Sequence, residues 1–127
     1  MTENELAAIV VDTSLFIHKK LGPGLLESVY EAVLAFELGK RGLLIERQVP
    51  IPLIWNGMLV GESFRADIMV DKKLLLELKS VEKLLPVHKK QVLTYLRITK
   101  LKLGLLLNFG ADLMKNGIVR LVNGLVE

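Results

Sequence analysis

The first third of the chain has apolar residues at intervals of three and four, which is the spacing of an amphipathic helix. This pattern predicts a helix over residues 4–20. Gly22-Pro23-Gly24 ends it, because glycine and proline both oppose helix continuation. A second helix is predicted from about Leu25 to Lys40, and Gly42 just after it is a typical stop signal. Two helices are therefore expected before any strand.

A period of two replaces the helical pattern from Val49 to Trp55, which indicates a strand. Two prolines within it predict an edge strand, since proline cannot donate a ladder hydrogen bond. Asn56-Gly57 is a strong hairpin-turn signal and Met58 to Val70 is the predicted return strand, with Gly61 as a candidate bulge. Trp55, beside the turn, is expected to pack against the protein.

The second half of the chain contains three further predicted strands and one helix. Leu74 to Lys79 follows a short turn at residues 71–73, and Pro86 suits the first turn of a helix ending near Thr99. The last two strands are predicted at Leu103–Phe109 and Ile118–Val122. The order α-α-β-β-β-α-β-β predicts an α/β (α+β) domain, with a mixed sheet of four to five strands flanked by helices over residues 1–127.

Composition narrows the classes of function. A chain of 127 residues fits one domain. The absence of cysteine excludes disulfides, thiolate metal sites and cysteine nucleophiles, and it fits a reducing compartment. The longest charge-free stretch, residues 48–61, is shorter than the ~17–25 residues of a membrane-spanning helix. With an acidic rather than basic N-terminus, the protein is expected to be cytoplasmic, without a membrane partner.

Charge is distributed unevenly along the chain. Residues 1–71 carry a net −4, residues 72–102 a net +7, and residues 103–127 are balanced, which gives +3 overall. A concentrated positive segment favours a polyanionic partner. A solvated basic face is the alternative, and charge alone does not separate the two.

The segment Leu76-Glu77-Leu78-Lys79 is the strongest chemical signal. Side chains alternate in a strand, so Glu77 and Lys79 share one face of a strand that is otherwise leucine-rich. If residues 71–73 form the hairpin loop, Asp67 lies directly opposite Glu77. Two opposed carboxylates repel unless a cation lies between them, and carboxylate oxygens are ligands that Mg²⁺ prefers. The alternative is a Glu77–Lys79 salt bridge with Asp67 exposed to solvent.

Two helical segments supply further candidates. Glu27 lies in the first turn of the second helix, where a favourable interaction with the helix dipole is the simpler explanation. Gln91 and Tyr95 are spaced i,i+4 on the third helix, amid several cations. Such a face can hold a phosphate backbone without reading sequence, although it can equally be a solvated surface.

The segment Gly24-Leu-Leu-Glu27-Ser-Val-Tyr30 resembles the signature of the GxxExxY protein family, which is similar to the PD-(D/E)XK nuclease superfamily. Asp67, the Glu77-Leu78-Lys79 triplet and the Gln91…Tyr95 pair follow in the order that the superfamily uses, although Ala66 stands where its name has proline. The resemblance extends over nearly the whole chain. It implies a restriction-endonuclease-like core.

The resemblance also implies roles for individual residues. Asp67, Glu77 and the Leu78 carbonyl would bind Mg²⁺ or Mn²⁺, with Glu27 completing the acidic cluster. Lys79 would position the attacking water or stabilise the pentacovalent phosphate. The resemblance and the cations of the third helix together give the residues expected to contact substrate, which are Tyr30, Lys89, Lys90, Gln91, Tyr95 and Arg97.

The residues and the resemblance together predict a metal-dependent nuclease that acts on nucleic acid, with DNA favoured over RNA. Two alternatives stay open: a nucleic-acid-binding module without turnover, and a protein-interaction module whose acidic residues are structural. A domain this small also leaves room for a homo-oligomer or a partner protein to complete substrate binding.

Overall fold

A five-stranded mixed sheet with helices on both faces forms the body of the protein. The computed structural model describes residues 1–126, except for the side chains of Glu62 and Ser63. Of the predicted domain 1–127, Glu127 lies outside the described residues. The elements in chain order are α1 Glu3–Leu21, α2 Glu27–Lys40, β1 Ile45–Trp55, β2 Met58–Val70, β3 Leu74–Lys79, α3 Pro86–Thr99, β4 Leu103–Asn108, a 3₁₀ turn Met114–Asn116 and β5 Ile118–Val122.

The strands lie in the order β1-β2-β3-β4-β5. Strands β3 and β4 are parallel, and the other three neighbouring pairs are antiparallel. The parallel pair is possible because α3 connects its two strands as a crossover. This architecture confirms the predicted fold class and element order.

The two faces of the sheet are covered by different helices. Helices α1 and α2 pack on the face that carries Leu74, Leu76 and Leu78. Helix α3 covers the opposite face, where Val92, Tyr95 and Leu96 pack against Leu75 of β3. The predicted alternation along β3 is therefore confirmed, and Glu77 and Lys79 extend on the α3 side.

Several boundaries differ from the pattern-based prediction. Strand β1 begins at Ile45 rather than Val49, because Ile45 to Arg47 pair with the end of β2 although their side chains are largely polar. Helix α2 begins at Glu27, since Leu26 is extended at its N-cap. Strand β1 is an edge strand, as its prolines predicted. Register shifts flank the Leu53–Gly61 pair, which agrees with the predicted bulge.

The predicted packing of Trp55 is wrong. Its side chain is 67% exposed at the end of the β1–β2 hairpin, which extends beyond the part of β2 that pairs with β3. Asn56-Gly57 determines where the chain turns, but it does not supply a further strand or a helix against which Trp55 could pack. None of the helices within residues 1–126 is long and apolar enough to cross a membrane.

Candidate active site

Strands β2 and β3 separate at Asp67, and two acidic side chains take over the hydrogen bonding there. The regular pairs end with Ile68–Leu76. At the next position, the Asp67 N–H donates to Glu77 Oε1 (3.0 Å) and the Leu78 N–H donates to Asp67 Oδ2 (2.8 Å). The sequence places Asp67 beside Glu77, and the structure brings the two residues into direct contact.

Burial, with nearby acidic charge, raises the pKa of both acids. The Glu77 residue is only 4% exposed, and its burial, followed by the charge of Asp67, raises the pKa of its carboxyl to about 8. Burial also raises the pKa of Asp67, against the hydrogen bonds from Leu78 and Gln48 that favour its charged form. A paired, perturbed set of carboxyls in one place is typical of a functional site.

Lys79 lies two residues along the same strand face and contributes positive charge. Its charge lowers the pKa of Glu77 and of Asp67, but by less than burial raises each of them. Among the described residues the ion pairs are Arg41–Asp12 and Arg47–Glu31, so Glu77 and Lys79 form no salt bridge. The salt-bridge alternative predicted from the sequence is therefore not what forms.

A second group of polar side chains, which sequence reasoning missed, extends the site toward α2. Gln48 donates from Nε2 to Glu31 Oε1 (2.6 Å) and to Asp67 Oδ1 (3.2 Å). Arg47 Nε donates to Glu31 Oε2 at 2.9 Å. Glu31 is buried. Gln48 has a positive φ of 50° and lies opposite Asp67, at a position where the regular pairing of β1 with β2 is interrupted. The signal available in the sequence was the i,i+4 spacing of Glu31 from Glu27 on one helix face.

Glu27 influences Glu77 through its charge but does not join the two acids in one cluster. It is the exposed first residue of α2, and its charge is the smallest of the causes that raise the pKa of Glu77. Within the described part of the chain, no three acidic or histidine side chains are grouped closely enough to hold a metal ion. The close pair is Asp67 and Glu77, and Leu78 contacts it through its N–H. The predicted part of Glu27 and of the Leu78 carbonyl in holding a metal stays a prediction.

Tyr30 has a different place from the one predicted. It is fully buried, with its ring stacked on Phe109 at 4.6 Å between centroids. Its hydroxyl donates to the Gly22 carbonyl (2.5 Å) and accepts from the Leu25 N–H (3.2 Å). Direct contact with a substrate is therefore corrected to a positioning role, in which Tyr30 fixes the loop that leads into α2.

Helix α3 brings its predicted pair to the edge of the site. Gln91 Nε2 donates to the Tyr95 hydroxyl at 2.8 Å. Tyr95 is nearly buried and packs against Leu75, on the face of β3 that also carries Glu77. Its pKa is raised first by burial and then by the charges of Glu77 and Asp67. Tyr95 thus lies on the same side of the sheet as Glu77, Gln91 is half-buried, and contact of either with substrate stays a prediction. The exposed cations of this helix are Lys89, Lys90 and Arg97.

The backbone directly after Lys79 is held by the end of β4. Asn108 Oδ1 accepts from the Val81 N–H (3.0 Å), and its Nδ2 donates to the Val81 carbonyl (2.9 Å). The Phe109 N–H donates to the Lys79 carbonyl at 2.8 Å. A Cβ added at Gly110 would lie 2.4 Å from the Val81 oxygen, so only glycine fits there. These contacts fix the end of the strand that carries Glu77 and Lys79.

A mixed sheet with two carboxylates and a lysine where its inner strands diverge is a restriction-endonuclease-like arrangement. The family model of the PD-(D/E)XK nuclease superfamily matches residues 4–121, and the chain belongs to that superfamily. No curated protein and no solved structure matches it. Membership supports a nuclease-type function with a nucleic-acid substrate, and members of the superfamily typically use divalent metals.

The donor set fits a hard divalent cation held by two carboxylates. Asp67 and Glu77 offer oxygen ligands, which Mg²⁺ and Mn²⁺ prefer, with water at the remaining positions. The raised pKa of Glu77 reflects two acids that are buried together, and a bound cation favours the ionised form of both. The residues present therefore fit a metal held by one pair of acids rather than by a three-acid cluster.

Proposed function

We propose that this protein is a metal-dependent nuclease that hydrolyses phosphodiester bonds in DNA or RNA, with DNA favoured. The observation that carries the proposal is the contact between Asp67 and Glu77, on adjacent strands, with Lys79 on the same strand face. A bound Mg²⁺ or Mn²⁺ would supply a Lewis acid for the phosphate and an activated water. Asp67 and Glu77 would hold that ion.

The remaining residues of the site bind substrate and stabilise charge in this proposal. Lys79 orients the attacking water or stabilises negative charge that develops on the phosphate. Lys89, Lys90 and Arg97 of α3 contact phosphates, with Gln91 at the edge of the cleft. Because such contacts are electrostatic, substrate affinity is expected to fall steeply as salt rises.

Narrower assignments belong to the same proposal. Two residues of the motif support membership of the GxxExxY family. Gly24 has a positive φ of +106° that favours glycine, and the Tyr30 hydroxyl hydrogen-bonds the backbone of Gly22 and Leu25 on either side of it. Glu27 follows that loop and is proposed to approach the metal through water. One domain and a cytoplasmic location remain predictions of the sequence.

A nucleic-acid-binding module without turnover is the second candidate, and one observation favours it. Asp67 and Glu77 each accept a backbone N–H at the point where β2 and β3 separate, which is a structural role that needs no metal. Such a pair would suit a nuclease fold that keeps the exposed cations of α3 for binding and does not cleave. The two candidates differ in whether metal-dependent cleavage accompanies binding.

The deciding experiment is a cleavage assay on end-labelled single-stranded DNA, duplex DNA and RNA, each with Mg²⁺, Mn²⁺ or EDTA. Glu77→Gln is the test variant, because it keeps an oxygen acceptor for the Asp67 N–H while removing the charge. Glu82→Gln, at an exposed acid nearby in sequence, is the control. Cleavage that requires metal and is lost only in Glu77→Gln supports the nuclease. Binding without cleavage in the wild type supports the binding module, and equal cleavage by both variants indicates a contaminant.

A further inference from the structure

A series of hydrogen bonds connects α2 to the acid pair, and Gln48 is its middle member. The Gln48 amide nitrogen donates to Glu31 Oε1 (2.6 Å) and to Asp67 Oδ1 (3.2 Å), with one hydrogen for each carboxylate. An amide oxygen in this position would face two carboxylate oxygens, so the nitrogen is the atom that belongs there. Glu31 and Asp67 repel each other, since the charge of Glu31 raises the pKa of Asp67. Gln48 therefore forms a neutral bridge between two acids.

The two carboxylate oxygens of Asp67 have different donors. Oδ1 accepts from Gln48, and Oδ2 accepts from the Leu78 N–H at 2.8 Å. The torsion that turns a carboxylate about its own bond has only a broad preference, so a single hydrogen bond leaves the group free to turn. Two donors, one on each oxygen, fix its plane. Each oxygen keeps a further lone pair with which a cation can be bound.

The bridging side chain is itself held in place. Glu31 is 7% exposed, and Arg47 Nε donates to its other oxygen at 2.9 Å, so the acceptor for Gln48 cannot turn away. The Gln48 backbone has a φ of +50°, which is uncommon for a residue other than glycine, and Arg65 Nη1 donates to its carbonyl at 3.4 Å. Residues kept in such a conformation cluster where a functional site needs a side chain in one place.

We propose that Gln48, anchored by Glu31, is a positioning residue that orients the Asp67 carboxylate to bind a divalent cation. This role rests on the proposed function, because Asp67 is taken there as a metal ligand. Groups that hydrogen-bond a ligating carboxylate fix its orientation, and loss of one lowers metal affinity by about 10- to 100-fold. Helix α2 thereby contributes to the site through Glu31, one turn beyond the Glu27 of the motif.

The first test measures the position of Asp67 without metal or nucleic acid. Gln48→Met keeps the length of the side chain and removes both donors, and it is expected to fold because Gln48 is exposed. The Leu78 N–H resonance reports on Asp67, to which it donates. In Gln48→Met this resonance is expected to shift upfield, and the N–H is expected to exchange faster with solvent. An unchanged Leu78 N–H in the folded variant overturns the proposal.

Glu37→Gln is the matched control for both tests. Glu37 is an acid of the same helix that lies outside these hydrogen bonds, so its neutralisation changes the charge of α2 by one without touching Gln48. The Leu78 N–H resonance and the metal affinity of this variant are expected to equal those of wild type. If Glu37→Gln moves both as much as Gln48→Met does, the effect is one of general charge or stability, and the positioning role is overturned.

The second test is calorimetric titration with Mg²⁺ and with Mn²⁺. Gln48→Met is expected to bind each ion about 10- to 100-fold more weakly than wild type. Glu31→Gln keeps an oxygen that can accept from Gln48 but loses the charge that pairs with Arg47, so its affinity is expected to lie between the two. Wild-type affinity in Gln48→Met overturns the proposal.

The same titrations distinguish a failure of this proposal from a failure of the proposed function. Weaker metal binding by Gln48→Met, together with no cleavage by wild type, contradicts the nuclease and supports the positioning role. Metal-dependent cleavage by wild type, with equal metal affinity in Gln48→Met, supports the nuclease and contradicts the positioning role. A wild type that binds neither ion overturns both the nuclease and the orientation of Asp67 toward a cation.

Discussion

Glu77 accepts a hydrogen bond from the backbone N–H of Asp67, and Asp67 in turn accepts one from the backbone N–H of Leu78. Each acid therefore replaces a ladder hydrogen bond at the point where β2 and β3 separate. The pair holds the strand ends together and also concentrates negative charge. A substitution tests the negative charge apart from the hydrogen bond only if it keeps an oxygen acceptor. Glu77→Gln does so, because the amide oxygen can still accept from the Asp67 N–H.

The raised pKa of Glu77 predicts a loss of stability with rising pH. The folded state holds the proton up to about pH 8, whereas an ordinary Glu in the unfolded chain releases it near 4.5. The stability that Glu77 contributes through its proton is therefore fully present below pH 4.5 and is lost as the pH rises to about 8. In EDTA, the free energy of unfolding of wild type relative to Glu77→Gln is expected to fall as the pH rises through that window, by on the order of 1 kcal/mol per pH unit.

Urea unfolding of both proteins at a series of pH values measures this difference. Added Mg²⁺ is expected to stabilise the wild type most at pH 8 and above, where the ion no longer competes with the Glu77 proton. Glu77→Gln is expected to respond weakly, since it has lost one of the two charged ligands. Parallel curves for the two proteins in EDTA would mean that Glu77 ionises as an ordinary surface acid does.

Lys79 provides the prediction that separates chemistry from binding. Lys79→Ala is expected to reduce cleavage by at least about 100-fold, on the scale of a lost charge-stabilising group, with a change in nucleic-acid affinity of less than about threefold. Lys83→Ala, at an exposed lysine four residues on, is expected to leave cleavage near the wild-type rate. Single-turnover cleavage and fluorescence anisotropy measure the two quantities. A parallel loss of binding and cleavage in Lys79→Ala would assign Lys79 to substrate binding instead.

The fold and the central acidic pair could be predicted because they depend on local signals. The turn at residues 71–73 fixes the β2–β3 register, so Asp67 could be placed against Glu77 by counting. Strand alternation then placed Lys79 on the same face. Both inferences rest on the alternation of side chains along a strand. Once the turn fixes the register, each residue of β3 can be assigned to a face, although most of the strand is leucine.

The contacts that the sequence did not predict join elements far apart in the chain. Gln48 reaches Asp67 because its positive φ turns it at an irregular point of the β1–β2 pairing, and no residue pattern marks that point. Tyr30 fits a substrate-binding motif by spacing, yet it stacks on Phe109, a residue 79 positions later. The burial of Tyr30 depends on how the helices pack on the sheet, and the periodicity of a short segment gives no information about that packing.

Glu31 and Glu27 form a matched pair of acids one helical turn apart. Glu31→Ala removes a buried carboxylate that accepts from Arg47 and Gln48, so the free energy of unfolding is expected to fall by roughly 1–3 kcal/mol. Glu27→Ala removes an exposed acid at a helix N-terminus and is expected to cost less than about 1 kcal/mol. Urea unfolding at pH 7 compares them. If both variants lose the same free energy of unfolding, the hydrogen bonds of Glu31 to Arg47 and Gln48 contribute no net stability.

Gly110 ties the stability of the fold to the position of Lys79. A methyl group at this position would meet the backbone oxygen and nitrogen of Val81 at 2.4 and 2.5 Å, and backbone cannot move aside cheaply. Gly110→Ala is therefore expected to lower the free energy of unfolding by about 1–3 kcal/mol, as overpacking does, and to displace the chain just after Lys79.

The matched control for Gly110→Ala is Gly39→Ala, inside α2, where an added Cβ meets nothing within 4 Å. That change is expected to raise stability by about 0.5–1 kcal/mol, because alanine is the better helix former. Thermal unfolding measures both variants, and the cleavage assay shows whether Gly110→Ala loses activity at temperatures where it remains folded. Full activity in folded Gly110→Ala would show that the clamp on Val81 serves the fold alone, without positioning Lys79.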